Sequence, residues 1–220
     1  LSGVITASAG NHAQGVALAA KKLHLKATIV MPTTTPDIKV TAVRAYGAKV
    51  VLYGENFDAA RDHALILAKK EELAFIHPFD DKLIIEGQAT VGLEILQDSN
   101  CQIDYLFVPI GGGGLAAGVG SYFKQVSPNT KIIGVEPAGA PSMSESLKAG
   151  EVVKLHEIDK FVDGAAVQRV GDIPFGICKE VLSDIVLVPE GKICTKILEL
   201  YNREAIVVEP AGALSIAALD

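Results

Sequence analysis

The sequence predicts an α/β fold in which helices cover both faces of parallel β-sheets. Short β-branched runs alternate along the chain with amphipathic stretches of helix length. The runs are continuously apolar, which is typical of strands buried on both faces of a parallel sheet. Two of them lead directly into loops rich in glycine or polar residues. Because ligands of such folds bind at the carboxyl ends of strands, these two loops are the candidate functional segments.

The first part of the chain predicts alternating strands and helices. Strands are expected at Val4–Ala7, Ala27–Met31, Lys49–Tyr53 and Ala74–Ile76, and helices at Asn11–Leu23, Pro36–Tyr46 and Phe57–Leu73. Thr35 is the expected N-cap of the second helix, since a proline at the first helical position and an acid in the first turn follow it. Gly47 is expected to end that helix.

The rhythm breaks at His77–Asp81, where a proline and paired acids predict an exposed domain boundary. The predicted domains cover residues 1–81 and 82–220. In the second domain, helices are expected at Leu83–Asp98 and Leu115–Val126, and strands, each followed by a helix, at Tyr105–Val108, Lys131–Val135, Ile185–Val188 and Ala205–Val208.

Composition and charge exclude several classes of protein. Hydrophobic residues make up 49% and charged residues 21% of the 220 residues, which excludes a disordered chain. The net charge of −6 and the lack of a basic run argue against a nucleic-acid partner. No uncharged apolar stretch approaches the ~20 residues of a membrane span. The three cysteines are far apart, as expected for reduced thiols of a cytoplasmic protein.

Four consecutive glycines, Gly111–Gly114, separate a predicted strand from a predicted helix. Backbone N–H groups without side chains around them can converge there on a phosphate at the positive end of the helix. A close-packed turn is the structural alternative. The spacing Gly112-x-Gly114-x-x-Ala117, with Glu136 at the end of the next strand, also fits a dinucleotide-binding Rossmann oxidoreductase.

The second candidate loop, Ser8–His12, follows the first strand and opens a helix. It offers a hydroxyl, backbone N–H groups, an amide and an imidazole, which together suit a small ligand with a carboxylate. Ser8 is also a fair N-cap for the helix.

Together these segments resemble the threonine dehydratases, which are fold-type II pyridoxal-phosphate enzymes. The resemblance rests on Ser8-Ala-Gly-Asn-His-Ala-Gln-Gly15 and Val108-Pro-Ile-Gly-Gly-Gly-Gly-Leu-Ala-Ala-Gly118, and it covers essentially the whole chain. Within this family, the sequence most resembles the biosynthetic branch, the first enzyme of isoleucine synthesis. The resemblance implies two open, twisted, mostly parallel sheets flanked by helices. Residues 1–81 would form the small domain and 82–220 part of the large cofactor-binding domain.

The resemblance also implies roles for single residues. Asn11 would bond the phenolic oxygen of pyridoxal 5′-phosphate. The substrate carboxylate would be held by Ser8, Ala9, Gly10, Asn11 and His12, and the cofactor phosphate by Gly111, Gly112, Gly113, Gly114 and Leu115. The implied reaction converts L-threonine to 2-oxobutanoate and ammonia in a cytoplasmic homo-oligomer, a dimer or a tetramer.

Some family features are missing from this sequence. The resemblance implies a Schiff-base lysine in a motif like Phe-Lys-x-Arg-Gly, which is expected upstream of Leu1. Lys21, Lys22 and Lys39 are not expected to replace it, because they lie on helices expected to face solvent. We therefore expect the chain to be truncated at both ends and inactive in isolation. Related racemases have a serine where this chain has Ala9, which argues for dehydration without racemisation.

A metal site and other functions stay open at this point. Related racemases bind a divalent metal through a glutamate, a backbone carbonyl and an aspartate. Glu136 and Ala140 match the first two ligands, whereas Ser142 replaces the aspartate. The alternative functions are a serine dehydratase or racemase of the same fold, a nicotinamide-binding oxidoreductase, and a non-catalytic relative that binds partners.

Overall fold

The computed structural model describes residues 2–219 and divides into two compact units between Pro78 and Phe79. The sequence placed the boundary slightly later, after Asp81. Phe79 and Asp80 belong to the second unit because their side chains contact Gly112 and the first turn of a later helix there. Leu1 and Asp220, the outer ends of the predicted domains, lie outside the described residues.

The first unit contains one sheet of four parallel strands in the order β3-β2-β1-β4. Its elements are β1 (Val4–Ala7), α1 (Asn11–Lys22), β2 (Ala27–Met31), α2 (Asp37–Ala45), β3 (Lys49–Leu52), α3 (Phe57–Lys70) and β4 (Ala74–Phe75). Every residue of β2 is buried, as its unbroken apolar run predicts. Small side chains of α1, such as Ala13 and Ala17, let that helix pack closely beside the sheet.

The start of α2 differs from the prediction. Thr35 does not cap this helix, because Pro36 occupies the N-cap position and no side chain accepts a hydrogen bond there. The Thr35 hydroxyl is instead buried without a partner among the described residues. By contrast, Asn56 caps α3 by accepting a hydrogen bond from the Ala59 N–H at 2.9 Å.

The second unit contains a sheet of three parallel strands in the order β5-β6-β7. Its elements are α4 (Lys82–Asp98), β5 (Tyr105–Pro109), α5 (Gly114–Val126), β6 (Lys131–Pro137), α6 (Ser142–Ala149), α7 (Asp172–Val181), β7 (Leu182–Val188), α8 (Glu190–Glu204) and α9 (Pro210–Ala217). Helix α5 lies close to its neighbours because it carries glycines. A Cβ at Gly118 would lie 2.4 Å from the Ile85 oxygen of α4.

The predicted strand at Ala205–Val208 is wrong. This segment forms no strand, because it pairs with neither sheet within residues 2–219. Ala205 ends α8 with a left-handed backbone (φ +56°), and the Ile206 N–H donates to the Leu200 oxygen of that helix. The apolar residues there are not buried as a central strand would be, since Val207 is 82% exposed.

Among the described residues, no helix combines the length and apolar character needed to cross a membrane.

Candidate active site

The glycine loop, defined here as Gly111–Gly114, joins the end of β5 to the start of α5. Between residues 2 and 219, no protein acceptor faces the N–H groups of Gly111, Gly112, Gly113, Gly114 and Leu115. Two of these residues, Gly113 and Gly114, are buried. Buried N–H groups are rarely left without an acceptor, and those at a helix start lie at the positive end of its dipole. The loop therefore fits an anion such as the phosphate of pyridoxal 5′-phosphate.

Packing inside the second unit also leaves little room for a side chain at each position of the loop. A Cβ at Gly112 would lie 2.2 Å from the Phe79 ring, and one at Gly114 would lie 3.0 Å from the Phe79 Cβ. At Gly111 the nearest atom would be the Ala165 Cα at 3.1 Å. Gly113 has φ +93°, a left-handed backbone that favours glycine. The loop is thus a close-packed turn that could also hold an anion. The N–H groups without acceptors, rather than the number of glycines, are the feature that suits an anion.

Asp80 is a contact residue of this loop region that sequence reasoning missed. Its carboxylate accepts hydrogen bonds from the N–H groups of Asp172 (3.1 Å) and Ile173 (2.9 Å) at the start of α7. The neighbouring Asp81 accepts from the first turn of its own helix, α4. The feature of the sequence that could have indicated this contact is the pair of adjacent aspartates. Capping of α4 needs only one of them, Asp81.

The second candidate loop lies between β1 and α1 in the first unit. Ser8 is not the N-cap of α1, because Gly10 occupies that position. The Ser8 hydroxyl instead accepts a hydrogen bond from the Gly10 N–H at 3.2 Å, which tightens the loop. Asn11 begins α1 and its side chain is exposed. Ala9 lies between these residues, half-buried, so the predicted substrate residues form one continuous surface loop.

His12 is directed into the first unit. Its Nε2 lies 3.1 Å from the Thr6 hydroxyl and 3.4 Å from the Ile76 oxygen, so it links the helix start to the segments around β1 and β4. Burial lowers the pKa of His12, although the hydrogen bond to Ile76 opposes that shift. The imidazole is therefore neutral near pH 7. Its polar contacts indicate that it supports the loop, while the loop backbone remains the candidate carboxylate site.

Glu136 lies at the end of β6 and is fully buried. Its two carboxylate oxygens accept hydrogen bonds from the N–H groups of Met143 (2.7 Å) and Ser144 (2.8 Å) in α6. Burial nevertheless raises the pKa of Glu136 to about 7. Glu136 thus stabilises the start of a helix, which leaves the ribose contact of the dinucleotide alternative without support.

The predicted metal ligands Glu136 and Ala140 lie close in sequence, but the donors around them are few for a hard cation. Ser142, at the third ligand position, has a buried hydroxyl without a hydrogen-bond partner within the described residues. No cluster of three His, Cys, Asp or Glu side chains suited to a metal occurs between residues 2 and 219. A divalent metal at Glu136 and Ala140 stays a prediction.

Lys21 and Lys22 are exposed on α1, as the sequence predicts.

Comparison with known proteins shows the family. The sequence model of the family described as "Pyridoxal-phosphate dependent enzyme" matches residues 2–220. The biosynthetic L-threonine dehydratase IlvA of Halalkalibacterium halodurans is 59% identical over the whole chain, which covers 54% of that relative. The chloroplastic biosynthetic threonine dehydratase 2 of Solanum lycopersicum is 54% identical over 98% of the chain, which covers 36% of it. The chain thus spans about half the length, or less, of these curated relatives.

Solved structures agree with this result. The processed form of threonine deaminase isoform 2 from Solanum lycopersicum matches with a TM-score of 0.93 at 53% identity, over 99% of this chain and 63% of that one. A serine racemase from Dictyostelium discoideum matches with a TM-score of 0.87 at 33% identity, over 99% of this chain and 69% of that one. The family match excludes the nicotinamide-binding alternative. The N–H groups without acceptors in the glycine loop suit the phosphate that this family binds. Since the family model matches residues 2–220, the chain belongs to the pyridoxal-phosphate-dependent enzymes.

Proposed function

We propose that the protein containing this chain is a threonine ammonia-lyase, which dehydrates and deaminates L-threonine to 2-oxobutanoate and ammonia in isoleucine biosynthesis. Within it, the first unit is the small domain and the second unit is part of the large cofactor-binding domain. We expect the Schiff-base lysine to lie outside these 220 residues, so this chain alone would bind ligands without completing the reaction.

The observation that carries the proposal is the run of N–H groups from Gly111 to Leu115 without protein acceptors. A phosphate satisfies several such donors at once, and the start of the 13-residue helix α5 favours its negative charge. The choice of threonine is supported by the names of the relatives, which are threonine dehydratases at 59% and 54% identity.

Residues of this chain would bind and orient the reactants. Bound pyridoxal phosphate supplies an electron sink for bond breaking at the substrate α-carbon. The N–H groups of the glycine loop would hold its phosphate, and the exposed Asn11 amide would donate to its phenolic oxygen. Within Ser8–His12, the N–H groups that are not already bonded inside the protein, together with the Ser8 hydroxyl, would hold the substrate carboxylate. These contacts would fix the orientation of the bound substrate relative to the cofactor.

Serine dehydration or racemisation in the same site is the second candidate, since a serine racemase shares the fold at 33% identity. Ala9 disfavours racemisation, because a methyl group cannot act as a proton-transferring base. Discrimination between threonine and serine rests on one methyl group, which is worth only ~1–3 kcal/mol in a pocket.

We also propose a cytoplasmic homo-oligomer, a dimer or a tetramer. Support for the compartment comes from the three cysteines, which are all free thiols. Sedimentation of the purified protein tests the assembly, and a monomer at all concentrations would contradict it.

The activity is tested with the complete reading frame around this segment. Its purified product should absorb near the visible edge, and borohydride should fix the cofactor to a lysine upstream of Leu1. Addition of threonine should release 2-oxobutanoate faster than serine releases pyruvate. A protein that binds the cofactor but releases keto acid only from serine would favour the second candidate. A protein without the absorbance band would overturn the proposal.

A further inference from the structure

The glycine loop is held by two adjacent residues at the start of the second unit. The ring of Phe79 lies against the loop, so close that a Cβ at Gly112 would be 2.2 Å from its Cγ. The carboxylate of Asp80 binds the first turn of α7 through the N–H groups of Asp172 and Ile173. One dipeptide therefore contacts both the loop and a helix that lies 92 residues further along the chain.

Helix α7 in turn contacts the loop from another side. The N–H of Gly171, just before α7, donates to the Gly112 oxygen at 3.1 Å. Pro174 in the first turn of α7 packs on Gly113, where a Cβ would lie 2.8 Å from it. A movement of the start of α7 would thus move the backbone of the glycine loop.

Gly171 makes this arrangement possible. A Cβ at that position would lie 2.9 Å from the Asp80 Cβ and 2.8 Å from the Pro174 Cδ. The Asp80 side chain and the start of α7 therefore approach each other closely, with no side chain at Gly171 between them. The carboxylate supplies the acceptors that α7 lacks, because its N-cap residue is a glycine without a side-chain acceptor.

We propose that Phe79 and Asp80 are positioning residues that hold the glycine loop in its anion-binding shape from two sides. Phe79 supports the loop directly, and Asp80 acts through the start of α7, Gly171 and Pro174. This inference rests on the proposed function, because the anion is the phosphate of the cofactor. Anion binding is sensitive to such support, since N–H donors bind strongly only when their directions are fixed in advance.

The chain offers a matched control for Asp80. Asp81 accepts hydrogen bonds from the N–H groups of Leu83 (2.8 Å) and Ile84 (3.2 Å), so it caps α4 by the same chemistry. Asp80→Ala and Asp81→Ala each remove one helix-capping carboxylate. A general loss of stability would affect both variants alike, whereas loosening of the glycine loop should follow only from Asp80→Ala.

The first measurement is the dissociation constant for pyridoxal 5′-phosphate by equilibrium dialysis, with the full chain as wild type and variants. Asp80→Ala should weaken binding about tenfold, the size of effect expected from losing one helix cap. Asp81→Ala should bind like the wild type. Asp80→Asn keeps an oxygen acceptor, so it should fall between the two, and it replaces the alanine variant if that one fails to fold. Equal dissociation constants for the Asp80 and Asp81 variants would overturn the proposal.

The second measurement needs no cofactor. Hydrogen exchange at the Gly171 N–H, which is bonded to the Gly112 oxygen, should be faster in Asp80→Ala and in Phe79→Ala than in Asp81→Ala. If the wild type binds no pyridoxal phosphate, the proposed function fails, and this exchange rate still decides the positioning role. An unchanged rate at Gly171 in both variants would show that the loop does not depend on Phe79 or Asp80.

Discussion

Replacing Gly112 by alanine should destabilise the second unit through a contact that the structure defines closely. The new Cβ would lie 2.2 Å, 2.3 Å and 2.5 Å from the Cγ, Cδ1 and Cδ2 atoms of the Phe79 ring. The backbone of Phe79 has little freedom to carry the ring away, because the adjacent Asp80 is bonded to α7. Overpacking of this kind costs ~1–3 kcal/mol, and we expect Gly112→Ala to lie in the upper half of that range.

Urea denaturation of the full chain measures this cost as a change in the free energy of unfolding. Gly87→Ala is the matched control, because Gly87 lies inside α4 and a Cβ there has no neighbour within 4 Å. The control should be stabilised by ~0.5–1 kcal/mol, since alanine favours a helix interior over glycine.

A double-mutant cycle then tests the cause. In a Phe79→Ala background the ring is absent, so the cost of Gly112→Ala should fall to less than half of its value in the wild type. An equal cost in both backgrounds would refute the assignment of the clash to Phe79. A Gly112→Ala variant as stable as the wild type would refute the close packing of the loop.

Three further predictions concern single side chains. Burial lowers the pKa of His12, so the native state binds fewer protons than the unfolded chain as the pH falls below about 6.5. The wild type should therefore lose stability between pH 7 and pH 5, and His12→Gln should lose less unfolding free energy than the wild type over that range. Burial raises the pKa of Cys178 to about 12, so native-state alkylation followed by mass spectrometry should modify Cys101 and Cys194 and leave Cys178 unmodified. Asn56→Ala removes the cap of α3 and should lower the free energy of unfolding, measured by urea denaturation, by ~0.5–2 kcal/mol. A substitution at an exposed position that caps no helix should leave this free energy unchanged.

The sequence predicted most of the fold because buried parallel strands form short, continuously apolar runs between stretches of helix length. Ala27–Met31 is a strand with the predicted bounds, since five consecutive β-branched or apolar residues there are all buried. Ala205–Val208 has the same character and is not a strand. Strand formation needs a partner with free backbone groups, and no sequence pattern shows whether that partner exists.

The candidate site shows the same limit. The glycine loop and the Ser8–His12 loop were found because their chemistry is local and each follows a strand. The bonds of Asp80 to α7 could not be predicted, since they join residues 92 positions apart. The end of β6 was a similar case, because the order of residues cannot show that the Glu136 carboxylate is directed at the start of α6.

A comparison of two ligands shows whether the glycine loop binds the phosphate of the cofactor. Pyridoxal 5′-phosphate and pyridoxal share the ring and differ in the phosphate. If the N–H groups from Gly111 to Leu115 hold that phosphate, the phosphorylated ligand should bind at least about a hundredfold more tightly, or ~2.7 kcal/mol. Equal dissociation constants for the two ligands would contradict the account.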